Sequence, residues 1–212
     1  MQPKIALFVH QPKCSVQSVN GIMNALSPHY EFKIFTKHEL EDDFFDDVDM
    51  VAFPGGVGDS DSWDYLLRSH VERTRQFVNS GGRYLGICMG AYWASSEYFN
   101  ILPDIKIEQY ITRPNTCTRR PHAKAMDIDW LGTKEKMFFY DGCAIEGQNM
   151  DVVATYPNGD AMAAIFNKRI GLIGCHPESQ KHWYDSYSWM PKHWHHNSHR
   201  RYLIDFVDEL MK

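Results

Sequence analysis

The fold of this chain is decided by a short apolar run that ends in a cysteine between two glycines, Arg83-Tyr84-Leu85-Gly86-Ile87-Cys88-Met89-Gly90-Ala91-Tyr92-Trp93-Ala94-Ser95. Gly-x-Cys-x-Gly between a strand and a helix predicts a nucleophile elbow, in which the glycines permit a sharp, strained turn. The amides that begin with Met89 N–H then lie at a helix N-terminus, where unpaired donors and the macrodipole favour a thiolate. Taken alone, the stretch favours a buried structural cysteine, so a nucleophile needs support from the rest of the chain.

A second apolar run supplies a candidate base. Residues 169–175 lead directly into His176-Pro177-Glu178, which places an imidazole and a carboxylate in one loop at a strand end. His176 can take the thiol proton, and Glu178 can hold the other ring nitrogen in the correct tautomer. Cys88, His176 and Glu178 are therefore the candidate catalytic residues.

A third strand end supplies a candidate anion cradle. The apolar run 50–53 empties into Pro54-Gly55-Gly56-Val57-Gly58, a glycine-rich turn that can present bare N–H groups. Gly55, Gly56 and Met89 are the predicted oxyanion donors. A nucleophile, a base with its orienting group, and an anion cradle, each after a strand-like run, form a joint signal much stronger than any one of them.

Four segments carry a resemblance to a known family: Phe53-Pro54-Gly55-Gly56, residues 82–92, Val152-Val153-Ala154-Thr155-Tyr156 with Ala163-Ala164-Ile165, and Gly171-Leu172-Ile173-Gly174-Cys175-His176-Pro177-Glu178. The chain resembles class I glutamine amidotransferase-like domains of the Cys-His-Glu type. Within them it most resembles the group related to the N-terminal domain of fungal biotin–protein ligases.

The resemblance implies a function and further site residues. It implies glutamine as the substrate, a thioester intermediate, and ammonia that passes to a separate ATP-dependent ligase or synthetase. Tyr140 and Gly142 match the aromatic strand and glycine turn that the family places near its active site. True glutamine amidotransferases usually carry Gln where this chain has Tyr92, so the substrate contact at that position differs.

Length, charge and cysteine content limit the classes of protein to which the chain can belong. A length of 212 residues fits one domain, 1–212, and a formal charge of −5 argues against a general nucleic-acid binder. No apolar run approaches the ~20 residues that span a bilayer, and no signal peptide is recognised, so a cytoplasmic location is expected. The 5 cysteines show no paired metal spacing and predict free thiols. No cofactor is expected.

The order of elements predicts an α/β fold. The apolar run 4–10, a helix over 15–26 and an alternating strand over 31–36 form a βαβ opening, which is typical of a doubly wound sheet. We expect a loop and strand insertion around 100–150, a hairpin over 151–166, and a final helix over 198–210. The predicted architecture is a mixed, mainly parallel, flavodoxin-like sheet with helices on both faces and the site at the carboxyl ends of its strands.

The tract 182–199 is unusually rich in histidine and tryptophan. Such a tract suggests a transition-metal site, and His195 and His199 would share a helix face if the final helix begins early. No cysteine or carboxylate accompanies these histidines at motif spacing. We therefore expect no metal site and favour an aromatic loop that walls the active site or contacts a partner.

The leading functional hypothesis is a cysteine-dependent enzyme that cleaves an amide through a thioester. Two alternatives stay open. One is an amidase or transferase that acts on a larger amide, which Tyr92 encourages. The other is a non-catalytic binding or regulatory module related to the biotin–protein ligase N-terminal domain.

Overall fold

The computed structural model describes residues 2–10, 16–40, 43–56 and 60–212, with only the backbone described at 60–62. Its strands are β1 (Lys4–Phe8), β2 (Glu31–Phe35), β3 (Met50–Phe53), β4 (Arg83–Ile87), β5 (Lys106–Gln109), β6 (Lys124–Trp130), β7 (Thr133–Phe139), β8 (Cys143–Glu146), β9 (Met150–Thr155), β10 (Ala161–Phe166) and β11 (Ile170–Ile173). Its helices are α1 (Val16–Leu26), α2 (Ser60–Leu66), α3 (Val71–Asn79), α4 (Met89–Tyr92), α5 (Lys181–Asp185) and α6 (Arg200–Met211), with short 3₁₀ turns at Arg68–His70, Tyr110–Thr112 and Pro191–His193.

The described strands form one 11-stranded mixed sheet in the order β2-β1-β3-β4-β11-β10-β9-β6-β7, with β8 beside β10 and β5 beside β8. Neighbouring strands from β2 to β11 are parallel. From β11 through β10, β9 and β6 to β7 they are antiparallel. The predicted mixed α/β sheet with flanking helices is confirmed, and the hairpin expected over 151–166 is the β9–β10 pair.

Helices cover both faces of the sheet because its parallel strands are apolar on both sides. In β1, Ile5 and Leu7 join the core beneath α1 and α6, whereas Ala6 and Phe8 join the core beneath α2 and α3. All four side chains are fully buried. Burial on two faces is what a continuous apolar run in a parallel strand predicts.

The chain order creates a crevice at the carboxyl ends of the parallel strands. From β1 the chain crosses through α1 to β2 on one side of β1, and β3 then pairs on the other side of β1. Ligand sites of open α/β sheets lie at such a reversal. The loops that follow β1, β3, β4 and β11 therefore meet at one edge.

Helix boundaries follow the sequence predictions closely. The helix expected over 15–26 is α1, with Ser15 outside the described residues, and the helix expected over 198–210 is α6. The segment 100–150 contains β5 to β8. No helix in the described ranges is long and apolar enough to cross a membrane.

Candidate functional site

Three strand ends meet at the carboxyl edge of the sheet. Cys88 comes directly after β4. Two residues separate His176 from the end of β11, and one residue separates Gly55 from the end of β3. Because β4 pairs with both β3 and β11, these three ends are neighbours. A Cβ atom built on Gly55 would lie 2.6 Å from His176 Cε1 and 3.6 Å from Cys88 Cβ, so the turn after β3 presses directly on the other two.

The elbow forms as predicted, but the strained residue is the cysteine itself. Cys88 has φ 50° and ψ −105°, a conformation that non-glycine residues rarely adopt. The flanking glycines instead permit close backbone approach. A Cβ on Gly90 would lie 2.1 Å from the Phe53 carbonyl oxygen, and one on Gly86 would lie 2.4 Å from the Gly90 carbonyl oxygen. The two glycines therefore allow a tight strand-to-helix corner that holds Cys88 in place.

The helix that follows the cysteine is short. It is the single turn α4, Met89–Tyr92, so few peptide dipoles align behind the thiol and the predicted macrodipole support is weak. Local amides remain. The Gly90 N–H donates to the Pro54 carbonyl at 3.3 Å and the Ala91 N–H to the Cys88 carbonyl at 3.0 Å. The Met89 N–H has no acceptor among the described hydrogen bonds.

His176 and Glu178 form a buried pair. His176 Nδ1 lies 2.8 Å from Glu178 Oε1, and the two residues are 5% and 1% exposed. Burial alone lowers the pKa of His176, but the nearby charges of Glu178 and of the thiolate form of Cys88 outweigh it and raise that pKa. Glu178 therefore favours the imidazolium form of His176.

Cys88 lies between a backbone acceptor and the base. The Cys88 thiol donates to the Tyr140 carbonyl oxygen at 3.6 Å. On the other side, the His176 ring attracts a negative charge on Cys88, and its Nδ1 is held by Glu178. Cys88 is 7% exposed, so the loop at Tyr140 largely covers it.

The loop after β7 contacts the thiol through its backbone. Tyr140 approaches Cys88 with its carbonyl, while its side chain is 50% exposed. The Tyr92 hydroxyl donates to the Asp141 carbonyl at 3.1 Å. A Cβ on Gly142 would lie 2.2 Å from the Gly174 carbonyl, so Gly142 packs against the strand end that carries His176. Tyr92, Tyr140 and Gly142 thus shape the loop beside Cys88.

The turn after β3 differs from its predicted role in one respect. The Gly55 N–H donates to Ser18 Oγ at 3.0 Å, so in this structure it is engaged by a side chain and does not stand open as an oxyanion donor. Gly56 is exposed at the end of the described part of the turn, and Val57 and Gly58 lie outside the described residues. Met89 and Gly56 remain as predicted donors.

Aromatic side chains enclose the base. The ring of Trp183 lies 5.3 Å from that of His176, and the ring of Phe138 lies 5.9 Å away, both edge to face. The backbone N–H of His176 also donates to the Phe138 carbonyl at 2.9 Å. Trp183 belongs to the histidine- and tryptophan-rich tract 182–199, so this part of the tract lies against the site, as the preferred interpretation expects.

The rest of the tract packs partly on itself and partly on neighbouring strands, since Trp189 Nε1 donates to the Ala123 carbonyl at 3.1 Å and His199 Nε2 lies 3.5 Å from Glu135 Oε2. The rings of His195 and His199 stack 3.9 Å apart, but both residues precede α6, which begins at Arg200, so the shared helix face expected from the sequence does not form. Within the described ranges no three His, Cys, Asp or Glu side chains converge as metal ligands. Of the cysteines, Cys88, Cys117, Cys143 and Cys175 are free thiols, and Cys14 lies outside the described residues.

Two contacts escaped prediction from the sequence. Ser18 Oγ donates to Glu178 Oε1 at 2.7 Å, and the Tyr140 carbonyl meets the thiol. A serine inside a helix carries no motif, and a backbone carbonyl carries no side-chain signal. The one available signal was position, because the first turn after β1 lies at the reversal of strand order.

Comparisons with known proteins agree with this architecture. A family model described as "Biotin-protein ligase, N terminal" matches residues 9–109. No curated protein sequence gives a significant match.

Solved structures match over nearly the whole chain. A glutamine amidotransferase from Thermotoga maritima is similar with a TM-score of 0.71 at 10% identity, covering 100% of this chain and 99% of that one. A putative GMP synthase component from Thermoplasma acidophilum has a TM-score of 0.65 at 14% identity, covering 99% and 94%. PurLQS from Thermotoga maritima has a TM-score of 0.56 at 15% identity, covering 99% and 100%. The chain therefore has the class I glutamine amidotransferase-like fold, and over residues 9–109 it carries the sequence pattern of the biotin–protein ligase N-terminal family.

Proposed function

We propose that this protein is a cysteine-dependent amide-cleaving enzyme of the glutamine amidotransferase type. The observation that carries the proposal is the strained Cys88 at φ 50°, which shares the turn at Gly55 with a His176 whose Nδ1 lies 2.8 Å from Oε1 of the buried Glu178. Strain at a non-glycine residue persists where the surroundings enforce it, and such residues concentrate at functional sites. A nucleophile, a base and an orienting carboxylate in hydrogen-bond sequence is the arrangement that activates a thiol.

The chemistry proceeds in two halves. The Cys88 thiolate attacks the amide carbonyl carbon, and the negative charge that develops on the carbonyl oxygen is held by the Met89 N–H with Gly56 as its partner donor. His176 gives its proton to the amide nitrogen, the carbon–nitrogen bond breaks, and ammonia leaves a thioester. Water then gives a proton to His176, attacks the thioester and releases the acid and the Cys88 thiolate.

Glutamine is the amide and a synthetase is the ammonia acceptor in this proposal. The support comes from structural neighbours that include a glutamine amidotransferase and a putative GMP synthase component. These 212 residues contain no nucleotide-binding P-loop, and in this proposal an ATP-dependent ligase or synthetase partner accepts the ammonia.

A second candidate, an amidase or transferase for a larger amide, is favoured by the loop beside the thiol. The Tyr92 hydroxyl donates its hydrogen bond to the Asp141 carbonyl, and the Tyr140 carbonyl already contacts Cys88. A phenol held in this way cannot offer the donor and acceptor pair of an amide side chain to free glutamine. The same contacts would also suit a non-catalytic binding module that keeps the thiol covered.

We expect the isolated protein to release glutamate and ammonia from free glutamine slowly, because the Tyr140–Gly142 loop must move before substrate can reach Cys88. The measurement compares wild type with Cys88→Ala, first alone and then with a candidate synthetase. Turnover that rises with the partner and vanishes in Cys88→Ala supports the proposal. Turnover that is equal in the two proteins contradicts it, and no turnover under any condition favours the binding module.

A further inference from the structure

We propose that Ser18 is a positioning residue of the active site, which fixes the carboxylate of Glu178 and the turn at Gly55 through one hydroxyl group. This inference rests on the proposed function, because it assigns Ser18 a role in the reactivity of Cys88. Ser18 lies in the first turn of α1, on a different element from every residue of the predicted Cys-His-Glu set.

The hydroxyl joins two parts of the site in one directed chain. The Gly55 N–H donates to Ser18 Oγ at 3.0 Å, and the Ser18 hydroxyl donates to Glu178 Oε1 at 2.7 Å. Glu178 Oε1 also lies 2.8 Å from His176 Nδ1. Glu178 Oε1 is therefore the acceptor for both His176 and Ser18. Ser18 Oγ in turn accepts the hydrogen bond from the Gly55 turn, which lies against His176.

Helix α1 is built to approach Glu178 closely. A Cβ on Gly21, one turn after Ser18, would lie 2.3 Å from the Glu178 carbonyl oxygen. Ser18 is fully buried and Glu178 is 1% exposed, so water does not replace the serine hydroxyl easily. The close contact at Gly21 sets the distance between helix and loop, and Ser18 uses that distance to make its hydrogen bond.

The position of the carboxylate depends on this bond. Within the described residues, Glu178 Oε2 has no hydrogen-bond partner, so Ser18 and His176 supply the side-chain donors that Glu178 receives. Hydrogen bonds to a buried charged group are stronger than neutral ones, so the loss of one is costly. Without Ser18, the Glu178 carboxylate should be held less firmly against His176 Nδ1 and support the His176 imidazolium less well.

Other titratable groups near Glu178 do not change charge in the range of interest. Cys175, at the end of β11, and Tyr184, on α5, both interact with the Glu178 charge. Burial raises the pKa of Tyr184 to about 12 and raises the pKa of Cys175 well above its usual range. Neither of these two groups therefore changes charge between acidic and neutral pH.

The test is the pH dependence of Cys88 alkylation by iodoacetamide, in which the thiolate displaces iodide and forms a carbon–sulfur bond. We expect Ser18→Ala to move the acid limb of the Cys88 rate profile upward by about one pH unit, the scale of one charge-assisted hydrogen bond. At mildly acidic pH this shift corresponds to a rate about ten times lower. Ser18→Thr keeps a hydroxyl and should return the limb most of the way toward wild type.

The matched control is Thr74→Val, which removes another fully buried helical hydroxyl, one without a partner among the described residues. It should leave the profile unchanged. Thermal unfolding of every variant distinguishes a loss of stability from a loss of positioning. If Ser18 had a purely structural role, Ser18→Ala would lower Tm and leave the acid limb of the Cys88 rate profile in place. An unshifted limb in folded Ser18→Ala overturns the inference. A wild type in which Cys88 does not react ahead of the other thiols overturns the proposed function instead.

Discussion

At the residue scale, one strained cysteine organises the site. Cys88 was predicted as the nucleophile from its flanking glycines, and the structure locates the backbone strain on Cys88 rather than on those glycines. His176 was predicted as the base from a strand-like run followed by His-x-Glu. The side chains of His176 and Glu178 are within hydrogen-bond distance. These residues were predictable because side-chain chemistry at strand ends leaves a local pattern. The roles themselves remain proposals.

Replacing His176 with Ala should lower the rate of Cys88 alkylation near neutral pH by about 10²-fold or more, because both the proton acceptor and the cationic partner of the thiolate disappear. Peptide mapping after limited labelling gives the rate. His182→Ala is the matched control, since His182 is exposed on α5 next to Trp183 and outside the hydrogen-bonded set. Equal losses in the two variants would place the reactivity elsewhere.

At the element scale, the β4–α4 corner joins two parts of the fold. Gly90 lets α4 pack against the last residue of β3, and the Gly90 carbonyl accepts the buried Tyr84 hydroxyl at 2.6 Å. The sequence indicated a strand-to-helix corner here but gave no length for the helix. Helix length was not predictable, because Tyr92, Trp93 and Ala94 are all compatible with a helix and it is tertiary packing that ends it after one turn.

Gly90→Ala should destabilise the protein by about 3 kcal/mol or prevent folding, because its Cβ would lie 2.1 Å from a backbone oxygen that cannot rotate away. Chemical denaturation measures the free energy of unfolding. Gly147→Ala is the control, since its Cβ would meet only the tip of the Ile105 side chain, which can move. If the two variants lose similar stability, the close approach at the corner is not a constraint.

The antiparallel part of the sheet shows where prediction from sequence ends. The β9–β10 hairpin was identified from two short runs around a Pro-Asn-Gly turn, and its pairing is confirmed. The pairing of β6 with β9, and of β5 with β8, was not predicted beyond an insertion of loops and strands. Such pairs join residues far apart in the chain, and no local pattern fixes their register.

At the scale of the whole molecule, the histidine-rich tract links acidity to stability. Burial lowers the pKa of His199 to about 4 and that of His195 to about 3, with the neighbouring His199 contributing to the second shift. The unfolded chain binds protons on these histidines near pH 6.5, and the folded chain does so only at lower pH. Stability should therefore fall as the pH drops from about 6.5 toward 4.

His199→Phe should flatten this loss, because phenylalanine fills the buried site without a group to protonate. Each such histidine changes stability by at most about 1.4 kcal/mol per pH unit, so the slope should fall by roughly that amount. His176 affects the pH dependence of stability in the opposite direction. Its pKa is raised in the folded protein, so it adds stability at acidic pH, and this stability is lost as the pH rises through the raised pKa. Denaturation at several pH values checks the slope, with His182→Phe as an exposed control. An unchanged slope in His199→Phe would contradict the assignment.

The overall architecture also sets what the site can reach. Strand order brings the loops after β1, β3, β4 and β11 to one edge, and the resulting fold matches solved glutamine amidotransferases over nearly the full chain. The sequence pattern predicted this edge and most of its residues. It did not predict Ser18, whose position depends on how α1 docks against the loop at Glu178.

The most direct measurement of the central claim is the site of reaction with diazo-oxonorleucine, a glutamine-like electrophile. The folded protein is treated briefly, digested, and mapped by mass spectrometry, with wild type compared against Cys88→Ala and His176→Ala. The account predicts a single major adduct on Cys88 in wild type, strongly reduced in His176→Ala, with no replacement adduct in Cys88→Ala. Preferential modification of Cys117, Cys143 or Cys175 while Cys88 stays intact would contradict it.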